Sequence, residues 1–220
     1  MSEVKAVIFD LDNTLLDRSS TFKAFAISFL NHYFYQLEPR QQLLERIIAL
    51  DQDGYKDKRV LFQELIEELP WPSKPDHTEL IRYYNDHYVK NAILMEHAQD
   101  VIRHIKSKYQ TALITNGRNA IQYGKIDHLG IRDAFDFIIV SEEAGCKKPD
   151  RRIFEAALNA LALQPAQCIY VGDHPVNDIE GACQAGLSAI WIQVNQPWRE
   201  ELKAQPLHTI TSLNELLILL

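Results

Sequence analysis

Two aspartates stand two residues apart in Asp10-Leu11-Asp12-Asn13-Thr14, directly after the apolar run Val4–Phe9. Along an extended chain Asp10 and Asp12 project to one side while Leu11 points away. Two carboxylates that close repel each other, and a site tolerates them when a cation lies between them or one keeps its proton. Two more acids occur in Gly172-Asp173-His174-Pro175-Val176-Asn177-Asp178, after the run Cys168–Val171. Four carboxylates form a hard, all-oxygen set that suits Mg²⁺ and not a metal preferring thiolate or imidazole. Carboxylate-bound Mg²⁺ usually acts together with phosphate oxygens of a substrate. Thr115, in Thr115-Asn116-Gly117, offers a hydroxyl, and Lys148, in Lys147-Lys148-Pro149-Asp150, a point charge for a phosphate oxygen. Backbone N–H groups of these loops can complete a phosphate cradle. Pro149 fixes the turn beside Lys148, whereas Lys147 is expected at the solvent.

The elements that must position these residues are strands alternating with helices. Val4–Phe9, Thr111–Ile114, Phe135–Val140, Cys168–Val171 and Ala189–Val194 read as strands. Ala98–Tyr109, Asn119–Leu129, Arg152–Leu163 and Asp178–Ala185 read as amphipathic helices, and Gly130 and Gly186 supply helix stops. Ser212-Leu213-Asn214-Glu215 is a capping box opening a last short helix. This alternation predicts an α/β fold, a Rossmann-like parallel sheet wound by right-handed crossovers. In such sheets ligands bind beyond the carboxyl ends of the strands, where all four polar runs lie.

Residues 17–90 read differently. Twelve of the 21 aromatic residues fall between Asp17 and Tyr88, whereas seven of eight glycines lie between Gly117 and Gly186. Phe22, Phe25, Ala26, Phe29, Leu30 and Tyr33 follow helical spacing, and three further stretches repeat it, with Pro39 and the Pro70–Pro72–Pro75 cluster as breaks. The expectation is a core built from 1–16 and 91–220, interrupted by a small bundle of about four helices over 17–90.

Composition sets the outer limits. The 220 residues are 46% hydrophobic and 24% charged, which is globular and not disordered. The net charge of −7, with no basic run, speaks against a nucleic acid polymer as partner. Cys146, Cys168 and Cys183 lack CxxC spacing and read as reduced thiols. Glu3, Lys5 and Asp10 interrupt any apolar leader, and the longest apolar run, Leu216–Leu220, is too short to span a membrane. A cytoplasmic protein without a membrane partner is expected, as a monomer or homodimer.

Asp10-Leu11-Asp12-Asn13-Thr14, Thr115-Asn116-Gly117, Lys148-Pro149 and Gly172-Asp173-x4-Asp178 resemble, in order and spacing, the four signature motifs of the haloacid-dehalogenase-like hydrolase superfamily. The resemblance covers the whole chain, and the helical insertion after the first motif resembles the cap of one subgroup. It implies that Asp10 is a nucleophile forming an aspartyl-phosphate and that Asp12 is the acid/base. It further implies that Thr115, Asn116 and Lys148 bind the substrate phosphate. Mg²⁺ would be held by Asp10, the backbone carbonyl of Asp12 and Asp173, with Asp178 a ligand or its support. The implied activity is Mg²⁺-dependent hydrolysis of a small phosphorylated metabolite, a sugar phosphate or nucleoside monophosphate. The dehalogenases of the superfamily lack an aspartate two residues after the nucleophile, which Asp12 supplies here. A phosphomutase of the same superfamily, and a non-catalytic phosphate-binding protein, share the motifs and stay open. At the start of the insertion Arg18 or Lys23 would meet a second anionic group and Phe22 or Phe25 would stack on a base or sugar, unless they are ordinary helix-start and core residues. His174 is expected to be a neighbour of the metal, His32 a surface residue, and Asn177 a hydrogen-bond support for the acidic cluster.

Overall fold

The computed structural model describes residues 3–37 and 40–220, so the expected break at Pro39 lies outside the described residues. Two compact units emerge, Met1–Asp17 with Leu94–Leu220, and Arg18–Ile93. The first holds a six-stranded parallel sheet of β1 (Ala6–Phe9), β2 (Gln110–Thr115), β3 (Phe137–Val140), β4 (Cys168–Gly172), β5 (Ser188–Ile192) and β6 (His208–Ile210). Spatial order is β3-β2-β1-β4-β5-β6. The first strand therefore lies inside the sheet, between β2 and β4, where the winding reverses. β1 is shorter than its apolar run, yet Lys5 still donates its N–H to Gln167 O at 2.8 Å and accepts from Gln110 N at 2.9 Å. Sequence periodicity did not predict β6, whose three residues include two exposed ones.

The second unit contains α1 (Arg18–Tyr33), α2 (Arg40–Asp51), α3 (Lys58–Glu68) and α4 (His77–His87). The sheet unit carries α5 (Ala98–Lys106), α6 (Asn119–His128), α7 (Ser141–Ala144), α8 (Arg151–Leu161), α9 (Gly181–Gln184) and α10 (Leu216–Leu219). A π-helical turn, Pro175–Glu180, runs into α9, so this helical stretch starts three residues before the expected Asp178. Gly130 and Gly186 adopt positive φ at the helix stops, and Glu215 closes the capping box on Thr211 and Ser212 N–H.

Both faces of the sheet are buried, as parallel sheets require. Ala6, Ile8, Ala112, Ile114, Tyr170 and Trp191 point to one face and pack with Ile153, Phe154 and Ala157 of α8 and Ala182 of α9. The alternate set, Val7, Phe9, Leu113, Val171 and Ile190, is buried as well. The chain leaves this unit after Asp17 and returns at Leu94, where Leu16 and Leu94 form an antiparallel bridge and Met95 N–H bonds Leu15 O at 2.8 Å.

In the helical unit the aromatic stripe is core. Phe25 packs edge-on against Tyr84 and Tyr88 at 5.4 and 5.7 Å, and Phe22 lies 5.9 Å from Phe25. Asp57 and Asp76 cap α3 and α4 through their carboxylates.

Phe154 is fully buried and meets the Tyr170 ring edge-on at 5.3 Å. Phe154→Ala is expected to lower the unfolding free energy by about 3–5 kcal/mol in a denaturant titration, because a large cavity opens under the sheet. A loss below about 1 kcal/mol would show that this core does not depend on that ring.

Candidate active site

Register places the polar runs side by side. Phe9 is paired with Leu113 on one neighbour and Val171 on the other, so Asp10, Thr115 and Asp173 leave adjacent strands at nearly one level. Asp10 N–H bonds Val171 O at 2.9 Å, the last rung before the chain diverges.

Lys148 is the hub of this end of the sheet. It is 3% exposed, and its Nζ donates to Asp10 Oδ1 at 2.5 Å, Asp178 Oδ1 at 2.7 Å and the Tyr170 hydroxyl at 2.9 Å. An ammonium has three N–H donors, and all three are placed. Asn116 grips the same residue from behind, accepting from Lys148 N at 2.9 Å and donating to Lys148 O at 3.1 Å. The side chain expected to touch phosphate thus orients the lysine. Lys147 is exposed, as expected.

Asp178 accepts from Lys148 and from Tyr170 Oη (3.1 Å) on one oxygen, and from His174 N (2.9 Å) on the other. Gly172 makes room for it, since a Cβ there would sit 2.5 Å from Asp178 Cγ. Trp191 Nε1 fixes the backbone of Asp173 through its carbonyl at 2.7 Å. His174 caps the π-helical turn, its Nδ1 accepting from Val176 N and Asn177 N, and burial lowers its pKa. Asn177 therefore contributes a backbone N–H to His174, while Tyr170 and His174 do the supporting expected of it.

Asp10, Asp173 and Asp178 each present a carboxylate oxygen within 4.8 Å of the others, and all three are buried. With all three carboxylates ionised, one ammonium leaves two negative charges that a divalent cation would balance. Burial pushes the Asp10 carboxyl up to about 7 even though Lys148 pulls it down, and Asp178 adds to the rise. Burial, then Asp178 and Asp10, push Asp173 well above the carboxylate range. Burial alone would lower the Lys148 pKa, but Asp10 and Asp178 outweigh it and hold the ammonium above its usual range. The donor set is hard oxygen throughout and fits a cation such as Mg²⁺. Asp178 takes three donors on its two oxygens, whereas Asp10 takes Lys148 on Oδ1 and a longer 3.3 Å contact from Thr14 on Oδ2.

Asp12 faces other partners. Its Oδ1 accepts from Lys125 Nζ at 2.7 Å and its Oδ2 from Gln122 Nε2 at 2.8 Å, both on α6. Gln122 Nε2 also bonds the Thr115 hydroxyl, and its Oε1 accepts from Lys125 at 2.9 Å. Gly117, at φ 149°, leaves space for this amide, because a Cβ would lie 2.8 Å from Gln122 Cγ. After β2, Gly117 N–H bonds Ser141 Oγ at 2.9 Å and Asn119 N–H bonds Glu142 Oε2 at 2.7 Å.

A family model described as haloacid dehalogenase-like hydrolase matches residues 7–192. The chain belongs to this family. It is 35% identical over 199 residues to the glyceraldehyde 3-phosphate phosphatase of Methanothermobacter thermautotrophicus, covering 86% of this chain and 85% of that protein. It is 26% identical to the human N-acylneuraminate-9-phosphatase over 236 residues, covering 100% of this chain and 95% of the relative. The HAD hydrolase YfnB of Bacillus subtilis, solved bound to magnesium, has the same fold, with a TM-score of 0.82 at 22% identity and 99% of each chain covered.

The insertion residues of this hydrolase belong to the helical unit. Arg18 is buried and paired with Asp51 at 2.5 Å and Asp53 at 3.5 Å, and Asp51 also takes Lys58 at 2.7 Å. Phe22 and Phe25 are core residues there and not open platforms, whereas Lys23 is exposed. His32 is exposed and rests against the rings of Tyr33 and Tyr83. Gln122, Lys125 and Tyr170 were missed by motif reasoning. The one sequence signal for the first two is a pair of long polar residues, three apart, beside Ile121 and Ile126 on a helix otherwise read as amphipathic.

Asp10 and Asp173 hold protons more tightly in the folded chain than in the unfolded one. Their contribution to stability is therefore present below about pH 4 and is lost as pH rises, through about 7 for Asp10. A divalent cation binds the ionised carboxylates, so the melting-temperature gain on adding Mg²⁺ should be larger at about pH 8 than at about pH 5.5. Equal gains at both pH values, or none, would show that these carboxylates do not take the cation.

Proposed function

We propose that this chain is a Mg²⁺-dependent phosphatase that hydrolyses a small phosphate monoester through an aspartyl-phosphate on Asp10. The observation that carries this reading is the division of labour between two aspartates two residues apart. Asp10 is buried against Lys148 in the three-carboxylate cluster, while Asp12 is held apart by Lys125 and Gln122. Environments that differ in this way are how one site runs nucleophilic and acid–base chemistry with two carboxylates.

Asp10 Oδ1 is bonded by Lys148, and Oδ2 receives a 3.3 Å contact from Thr14 Oγ1, which makes Oδ2 the oxygen to attack phosphorus. The new O–P bond forms as the ester P–O bond breaks, and Asp12 gives its proton to the departing alcohol. Asp12 then takes a proton from a water that attacks the phosphorus and frees Asp10. Mg²⁺ bound by Asp10, Asp173 and the Asp12 carbonyl, with Asp178 as ligand or support, would neutralise charge on the phosphoryl oxygens. Thr115 is proposed to bind phosphate through its hydroxyl. Lys148 acts through its charge and by aligning Asp10, and Asn116 acts by holding Lys148.

The relatives named for glyceraldehyde 3-phosphate and N-acylneuraminate 9-phosphate support a sugar phosphate as substrate, and the one named pyrimidine 5'-nucleotidase supports a nucleoside monophosphate. The helical unit, residues 17–90 by the sequence reading, is proposed as a cap that selects the organic part of the substrate. Three unpaired thiols suit a reducing, cytoplasmic compartment.

Purified protein assayed with Mg²⁺ on 4-nitrophenyl phosphate and a panel of sugar phosphates and nucleoside monophosphates should release inorganic phosphate. Asp10→Asn should abolish turnover, and Asp12→Asn should lower it about 10²–10⁴-fold. Activity surviving Asp10→Asn would refute the covalent route, and conversion of a sugar 1-phosphate to its 6-phosphate without net phosphate release would mark a mutase instead.

A further inference from the structure

Lys125 and Gln122 lie three residues apart on α6, are almost fully buried, and make contacts that the four motifs do not explain. Between them they place a donor on each oxygen of Asp12, the ammonium at 2.7 Å and the amide at 2.8 Å. They are also bonded to each other at 2.9 Å, which ties the two side chains into one unit. Gln122 reaches back to the Thr115 hydroxyl and, at 3.2 Å, to Asn116 O, which anchors the unit to the end of β2. The Asp12 side chain is 26% exposed, against 4% for Lys125. Donors on both oxygens hold a partly exposed loop carboxylate in one rotamer. Burying a lysine stem and an amide to hold one partly exposed acid is costly, and no packing requirement of an amphipathic helix asks for it.

We infer that Lys125 and Gln122 are positioning residues for the reaction, which aim the Asp12 carboxyl at the leaving oxygen of the substrate and link that aim to Thr115. This rests on the proposed acid/base reading of Asp12. The pair touches no reacting atom. Its effect is on how well the proton on Asp12 lines up with the P–O bond that breaks. Alignment matters in proportion to how much the leaving group needs a proton: a nitrophenolate leaves nearly unaided, whereas an unsubstituted phenolate, about three pKa units more basic, does not. Displacements of about 1 Å can cost about 10² in rate when geometry governs the step.

The test is kcat/KM, which reports only steps up to release of the alcohol, for 4-nitrophenyl phosphate and phenyl phosphate with Mg²⁺. Lys125→Met should lower kcat/KM on phenyl phosphate about tenfold or more beyond its effect on 4-nitrophenyl phosphate, and Asp12→Asn should show the same selectivity more strongly. Lys125→Arg keeps the charge with a displaced fork and should give a smaller loss of the same selective kind, which reads the question even where Lys125→Met fails to fold. Thermal melts establish which variants are folded. Equal losses on both substrates in a folded Lys125 variant, or no loss on either, overturn the positioning role while wild-type activity and the Asp12→Asn pattern stand. A wild-type protein inert on both esters, or an Asp12→Asn variant losing equally on both, instead removes the acid/base reading beneath it.

Discussion

One ammonium buried among three carboxylates sets the terms for this end of the sheet. An ion pair of this kind costs much desolvation and repays it only where geometry satisfies the remaining lone pairs. Tyr170 and the His174 N–H meet that condition at Asp178, while Asn116 and Trp191 fix the backbones of Lys148 and Asp173. Removing Lys148 would leave the Asp10 and Asp178 carboxylates without their buried counter-charge. The glycine at position 172 follows from the same constraint, since only the absence of a side chain there lets the Asp178 carboxyl approach.

Topology explains why so many acids meet at one point. β1 lies between β2 and β4, in register with both, so three loops open from adjacent strand ends. Asp10 leaves toward the β4 side and its carboxylates, while Asp12 leaves toward α6, which follows β2. A separation of two residues is thereby turned into two electrostatic environments, one dry and crowded with negative charge, the other partly wetted and offset by Lys125. A single parallel register does the sorting, and neither residue type nor spacing alone would.

The strand ends were legible because apolar runs stop abruptly at polar residues, and the helical insertion because aromatic periodicity changes at Asp17. β6 was not, since a three-residue edge strand with two exposed positions leaves no alternation to read. Lys148 was distinguishable from Lys147 through Pro149, but the saturation of its three donors depends on Tyr170, an ordinary core residue of an apolar strand in sequence. The grip of the Asn116 amide on the Lys148 backbone could not be read from the motif, which names a residue and not the direction of its side chain. Lys125 stayed hidden because a lysine on an amphipathic helix defaults to solvent, and only the tertiary meeting of α6 with the first loop reverses that default.

The net charge of −7 illustrates the limit of global arguments. A long-range negative field disfavours a polyanion, whose binding draws on many phosphates at once. It has little bearing on one phosphoryl group entering a pocket, because at contact distances the local arrangement decides the sign and screening removes the rest. Here several of the acids that make the chain negative are the same ones that would gather a cation, and the two buried lysines stand beside them. An acidic protein can therefore carry a site whose working charge, once a divalent ion joins Lys148, is close to neutral. The long-range field and the local site therefore act on different partners, the first on polyanions and the second on a single phosphoryl group.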